Sequence, residues 1–320
     1  MSRRAVRWRF TAAAAALAFV LGGCATVAPV GPAGLAPVQA ELFAEAGSLA
    51  NAWGDFDSDG DPDLAVSLKS GEIRLYRNDA GVFSSVGASL GLPQSGPEMR
   101  GLSWGDYDAD GDIDLLGGAT RPDSAYLVFR NDAGRSFTNV AGEIGLALTG
   151  RSARQTNWVD YDGDGDLDVY AANRIGKNTL LKNEAGRFAP AFPDAGDAPG
   201  IDDARPTVGA CWFDYDRDGD LDVFLANQSG ATDALWRNDQ GGFTDVAPAL
   251  AIHSPGRPRT EGGVGCAIGD YDNDGDFDIF LAAYGPNKLF RNNGDATFTD
   301  VAGGTPLGAF NKAVGAAWGD

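Results

Sequence analysis

Runs of two or three apolar residues recur along the chain: Leu64-Ala65-Val66, Leu115-Leu116, Val169-Tyr170, Val223-Phe224-Leu225 and Ile279-Phe280-Leu281. Each follows an acidic stretch and is rich in branched and aromatic side chains, which predicts a β-strand. Two residues before each acidic stretch stand Trp53, Trp104, Trp158, Trp212, Ile268 and Trp318, so a strand is expected there too. The acidic stretch then joins two antiparallel strands of a hairpin. A second phrase recurs further on: Leu75-Tyr76-Arg77-Asn78, Val128-Phe129-Arg130-Asn131, Leu180-Leu181-Lys182-Asn183, Leu235-Trp236-Arg237-Asn238 and Leu289-Phe290-Arg291-Asn292. A Gly-containing turn and an aromatic follow each (Phe83, Phe137, Phe188, Phe243, Phe298), which predicts a second hairpin. Four strands per repeat, in units near 50–86, 101–140, 155–189, 208–247 and 264–301, predict an all-β fold, a β-propeller of five complete four-stranded blades. A calcium-binding parallel β-helix would need a period of about nine residues, and the chain has none.

The acidic stretches share the spacing Asp-x-Asp-x-Asp-Gly-Asp-x-Asp. They comprise Asp55, Asp57, Asp59, Asp61 and Asp63; Asp106, Asp108, Asp110, Asp112 and Asp114; Asp160, Asp162, Asp164, Asp166 and Asp168; Asp214, Asp216, Asp218, Asp220 and Asp222; and Asp270, Asp272, Asp274, Asp276 and Asp278. Their starts, and that of a sixth at Asp320, lie 51, 54, 54, 56 and 50 residues apart. Alternate carboxylates around a tight turn form an oxygen cage for a hard cation, with Gly60, Gly111, Gly165, Gly219 and Gly275 allowing the bend. Side chains one, three, five and nine converge, and the seventh residue offers its carbonyl. Position twelve is Val66, Gly117, Ala171, Leu225 or Leu281, so the EF-hand glutamate is missing and the ninth aspartate must close the shell. Magnesium demands stricter geometry, and zinc prefers His or Cys, which the loops lack. About five Ca2+ sites are expected, with a structural purpose.

The formal charge of −20 takes on a different meaning once the acids are located, because 25 of the 45 acidic residues lie in these loops. No basic stripe offsets the rest, so nucleic acid is excluded as a partner and a protein or glycan ligand is expected. Residues 1–23 read as an export signal, with Arg3, Arg4, Arg7 and Arg9 before a short apolar run, Thr11 to Leu21. Leu21-Gly22-Gly23-Cys24 resembles the bacterial lipobox, which implies lipidation of Cys24 and the outer membrane or surface of a Gram-negative bacterium. The lipid is then the chain's one membrane contact. Residues 24–40, rich in Pro, Ala and Gly, read as a tether before a propeller over 41–320. Cys211 and Cys266 sit three and four residues before their loops, which turns them to opposite faces of their strands. Two buried thiols is the favoured reading, with a disulfide left open.

The phrase Trp-Gly-Asp-Tyr-Asp-x-Asp-Gly-Asp-x-Asp-Leu stands complete at Trp104 to Leu115, and Phe-Thr-Asp-Val-Ala stands at Phe243 and Phe298. With the Arg-Asn phrases, these resemble the FG-GAP/VCBS repeats of integrin α-like propellers, and are especially similar to bacterial relatives of cartilage acidic protein. The resemblance spans roughly 41–320. It implies a seven-bladed calcium-binding propeller with a role in adhesion or ligand binding, not catalysis. Two stretches fit as partial strands, 41–47 as the last of a preceding blade and 312–320 as the first of a sixth. A chain stopping at the first ligand of a loop is expected to be a piece of a longer protein.

His253 is the one histidine, in a loop without a catalytic partner motif, and an exposed position is expected for it. A non-enzymatic, surface-anchored binding module is therefore the leading expectation. The alternatives are a carbohydrate-binding lectin or a polysaccharide lyase or hydrolase on the same propeller, with the least repetitive stretches, 189–206 and 248–263, as places for a special site.

Overall fold

The computed structural model describes residues 38–44, 46–192 and 200–319. The signal segment, Cys24 and most of the tether lie outside them. The chain divides into two compact units, one ending at Glu45 and one beginning at Ala46. In the first, the described residues form a turn closed by the Leu42 N–H on the Gln39 carbonyl at 2.9 Å.

The second unit carries the repeats. Its first blade is β1 (Ser48–Gly54), β2 (Asp63–Leu68), β3 (Ile73–Asp79) and β4 (Val82–Ser85); its second is β5 (Met99–Gly105), β6 (Asp114–Ala119), β7 (Leu127–Asn131) and β8 (Phe137–Asn139). The third is β9 (Ser152–Val159), β10 (Asp168–Ile175), β11 (Thr179–Asn183) and β12 (Phe188–Pro190). The fourth is β13 (Thr207–Phe213), β14 (Asp222–Asn227), β15 (Ala234–Asp239) and β16 (Gly242–Asp245), and the fifth is β17 (Gly262–Gly269), β18 (Asp278–Pro286), β19 (Lys288–Asn292) and β20 (Phe298–Asp300). Every sheet is antiparallel with strands in chain order. These are the five expected blades of a β-propeller.

Packing explains the sequence pattern. β6 and β14 are buried at every residue, because each blade is covered on both faces by its neighbours. That is why the run after each acidic loop is continuously apolar rather than alternating. First strands of adjacent blades touch: the Gln155 amide on β9 donates to the Ala210 carbonyl on β13 at 2.8 Å, and Gly101 on β5 lies against the backbone of Gln155 and Thr156. The first strands therefore line the inside of the arc.

Between blades the aromatics form trios. Phe56 from the first loop meets Trp104 and Phe137 of the second blade, and Tyr107 meets Trp158 and Phe188 of the third. Trp104, Trp158 and Trp212 are thus interblade packing, whereas Trp53 meets Phe83 of its own blade. Trp104 lies over Gly54 and Trp158 over Gly105, where any side chain would collide: a Cβ would sit 2.8 Å and 2.6 Å from the rings.

Three expectations are corrected. Of the stretch 41–47, residues 41–43 form a turn and residues 44, 46 and 47 lie in no strand; the Gly47 carbonyl accepts the Lys69 N–H at 2.9 Å. The strand expected over 312–320 is instead β21 (Phe310–Lys312), paired with the far end of β18. Residues 313–319 lie in no strand, with the Ala313 N–H still reaching the Ala283 carbonyl at 3.1 Å. They still follow the inner path, with Val314 against Gly265 and Trp318 over Gly269. Finally, Cys211 and Cys266 are joined in a disulfide, with Cα atoms 6.1 Å apart. The opposite faces are as expected, and of the two readings left open the disulfide replaces the favoured pair of thiols. Adjacent blades meet through opposite faces, so the side chains on β13 and β17 point at each other.

Candidate metal centres

Each acidic loop joins the first and second strands of its blade and folds by the same local rules. Position four has a left-handed backbone in all five copies, at Ser58, Ala109, Gly163, Arg217 and Asn273, with φ between 56° and 72°. Position six is the glycine, with φ between 93° and 98°. The first aspartate organises the turn: Asp55 accepts the N–H groups of Asp59 and Gly60 at 3.0 and 2.9 Å, and Asp106, Asp214 and Asp270 repeat both contacts.

The carboxylates gather as a hard-cation site requires. In four loops the residues at positions one, three and nine each bring an oxygen within 4.8 Å of the others: Asp55, Asp57 and Asp63; Asp106, Asp108 and Asp114; Asp160, Asp162 and Asp168; Asp270, Asp272 and Asp278. In the fourth loop the group is Asp214, Asp216 and Asp218. The third-position oxygens Oδ1 of Asp57, Asp108, Asp162 and Asp216 are buried and have no hydrogen-bond partner. A buried carboxylate oxygen without a donor is costly, and a cation would meet its need. The donor set therefore fits a hard metal ion.

Other carboxylates are used differently. Asp61, Asp112 and Asp220, at position seven, accept the N–H groups of Ala80, Ala133 and Gln240 in the outer turn at 2.7–2.8 Å. In the third loop the Lys182 ammonium lies between Asp162 and Asp164, where the other blades carry an arginine. Arg217 of the fourth loop crosses to Asp276 of the fifth at 2.6 Å.

The ninth aspartate does more than face the cage. It is wholly buried in every copy. Asp63 accepts the Phe56 N–H at 3.0 Å and the Asn78 N–H at 2.8 Å, so one carboxylate ties the loop to the second hairpin. Burial pushes the Asp114 and Asp222 carboxyls up to about 7 and those of Asp63 and Asp168 to about 6, against the opposing pull of these backbone donors. Asp278 is raised for the same reason.

The asparagine of the Arg-Asn phrase, expected to serve the turn of its hairpin, does so and also reaches further. Asn131 gives its backbone N–H to Asp114, its side-chain amide to Ile113 and, across the blade boundary, to Phe56 of the preceding loop at 2.7 Å. Its Oδ1 accepts the Gly134 N–H at 2.9 Å. Asn183, Asn238 and Asn292 repeat the crossing bond to Tyr107, Tyr161 and Tyr215. Its recurrence in every repeat, 14 to 17 residues after the ninth aspartate, was the available signal.

The two irregular stretches carry buried ion pairs. Arg257 bonds the wholly buried Asp233 at 2.9 Å, and Arg205 bridges Asp203 and Asp245 over the Trp236 ring. His253, expected to be exposed, is half-buried, and its carbonyl accepts the Asp233 N–H. Among the described residues no helix is long and apolar enough to cross a membrane.

A family model for FG-GAP-like repeats matches residues 52–117, 160–225, 214–281 and 270–320. The chain belongs to the FG-GAP-like repeat family. These FG-GAP-like repeats are 24% identical to cartilage acidic protein 1 of Homo sapiens over 282 residues, 78% of this chain and 42% of the relative. The Mus musculus protein of that name is 25% identical over 180 residues, 52% of this chain and 27% of the relative. The chain thus spans less than half the length of either. A solved Agrocybe aegerita lectin, described as recognising non-reducing terminal N-acetylglucosamine, superposes with a TM-score of 0.50 at 17% identity, over 82% of this chain and 69% of the lectin. At that identity the likeness concerns the fold.

Proposed function

We propose that this FG-GAP-like repeat protein is a calcium-dependent, non-catalytic binding or adhesion module, carried on the surface of a Gram-negative bacterium by lipid on Cys24. The observation that carries the metal assignment is the set of unpartnered buried oxygens on Asp57, Asp108, Asp162 and Asp216, each beside a first-position aspartate. Oxygen-only donors on a flexible loop favour calcium over zinc, and the absence of an imposed octahedron favours it over magnesium. Bound cations would remove like-charge crowding from five turns, so binding energy becomes folding energy. Affinities of about 10⁻⁴–10⁻³ M are typical of extracellular modules and would suffice outside the cell. The leader sequence supports the address.

The test is thermal melting with calcium and with excess chelator, alongside equilibrium calcium binding. A lower melting temperature in chelator, recovered by calcium, is expected. An unchanged curve with no bound calcium would sink the reading. Binding on a glycan array would redirect the module toward a lectin, and polysaccharide turnover toward an enzyme.

A further inference from the structure

Six residues before the first aspartate of each loop, the inner strands carry Leu49, Arg100, Arg154, Val208 and Val264. Two neighbouring strands, β5 and β9, thus present arginine where the others present an aliphatic side chain. The position coincides with a break in strand register. Arg154 is skipped between Ala153 and Gln155 as β9 pairs with β10, and Arg100 is the last paired residue before the break in β5. Such bulges turn a side chain out of the regular alternation. A third arginine, Arg174, lies at the corresponding break in β10, between Asn173 (opposite Ala153) and Ile175 (opposite Ser152).

The Arg154 guanidinium senses the other two. Burial first, then the charges of Arg100 and Arg174, hold Arg154 below its usual pKa, with Glu98 and Tyr284 opposing. Tyr284, which bears on Arg154 least of these, belongs to β18 of the fifth blade. Among the described residues no ion pair or hydrogen bond reaches any of these three guanidinium groups, and the Arg100 Nε is buried without a partner. By contrast, Arg205 and Arg257 are each matched by carboxylates. Arg100 and Arg154 are half-buried and Arg174 is exposed, so the cluster is open to a ligand.

The geometry points to an oxyanion-binding site at the inner rim between the second and third blades, in which Arg100, Arg154 and Arg174 take a carboxylate or sulfate group of the ligand. Guanidinium forks suit these groups through paired N–H donors. The site is separate from the acidic loops: six residues of strand place it about 20 Å away along β9. It does not depend on the calcium reading.

The probes are glucuronate and inorganic sulfate, titrated calorimetrically into the full chain at fixed ionic strength, with and without calcium, and with glucose as the uncharged control. Binding of at least one anion, and not of glucose, is expected. Arg154→Gln should weaken it about tenfold or more, the scale of a lost charged hydrogen bond. Arg154→Lys should recover part of the loss. Arg121→Gln removes an exposed arginine already paired with Asp123 at 3.1 Å and should leave binding unchanged. Melting curves establish that each variant is folded, and Arg100→Gln serves if Arg154→Gln is not. Binding of glucuronate alone identifies the ligand group as a carboxylate, and of sulfate alone as a sulfate ester. Failure of both anions to bind, or equal losses in Arg154→Gln and Arg121→Gln, would overturn the assignment.

Discussion

At the scale of single residues, the recurring asparagine ties its blade to the one before it in four of the five repeats. Asn131 is 1% exposed and joins three structures: its own acidic loop, the turn of its own hairpin and the loop of the preceding blade. Asn131→Ala would strand the Phe56 and Ile113 carbonyls and the Gly134 N–H. Two or three buried bonds at about 1–1.5 kcal/mol each give a loss of about 2–4 kcal/mol, measurable by denaturant unfolding. A loss below about 0.5 kcal/mol would show that water replaces the amide at no cost. The aspartate loops were legible residue by residue because metal-ligand spacing is local. The partner of Asn131 at Phe56 was not, since 75 residues separate them and no local rule connects the two.

At the scale of elements, the ninth aspartate holds hairpin to hairpin, and its buried carboxylate makes that joint sensitive to pH. In the metal-free protein these carboxyls titrate near 6 to 7, above the ordinary carboxylate value that they recover on unfolding. The folded state therefore binds more protons across that interval, and stability from these groups falls as pH rises from about 4 to about 7. Calcium competes for the ionised form, so its effect runs the other way. Metal-free protein should melt at a higher temperature at pH 5 than at pH 8, and the increment from calcium should be larger at pH 8. A calcium increment that shrinks between pH 5 and pH 8 would contradict the proposed ligand set. The blades themselves were readable from the apolar runs, because a strand covered on both faces leaves an uninterrupted trace. The register breaks at Arg154 and Val208 were not, because a bulge adds a residue without altering the apolar pattern.

At the scale of the whole molecule, contacts run between neighbouring blades, which makes the fold a linear array with nearest-neighbour coupling. The Cys211–Cys266 disulfide reinforces one of these junctions with a link spanning 55 residues. The chain-entropy model puts the stabilisation from such a link at about 4 kcal/mol. Reduction, or Cys266→Ser, should lower the unfolding midpoint accordingly. The fourth and fifth blades should then show the first increase in amide hydrogen exchange, and a uniform increase over all five blades would contradict the nearest-neighbour picture. Sequence reasoning had the faces right and the pairing wrong because it considered each strand within its own sheet. The relevant geometry belongs to two sheets seen together.

The crossing bonds from four of the asparagines to the loops before them also give the array a direction in time. The carbonyls of Phe56, Tyr107, Tyr161 and Tyr215 wait for donors that lie 75 to 77 residues downstream. A chain emerging from its N-terminus would complete each of these loops only after the next blade's outer hairpin had emerged. Assembly would follow emergence in a fixed order, always about one and a half repeats behind the exit.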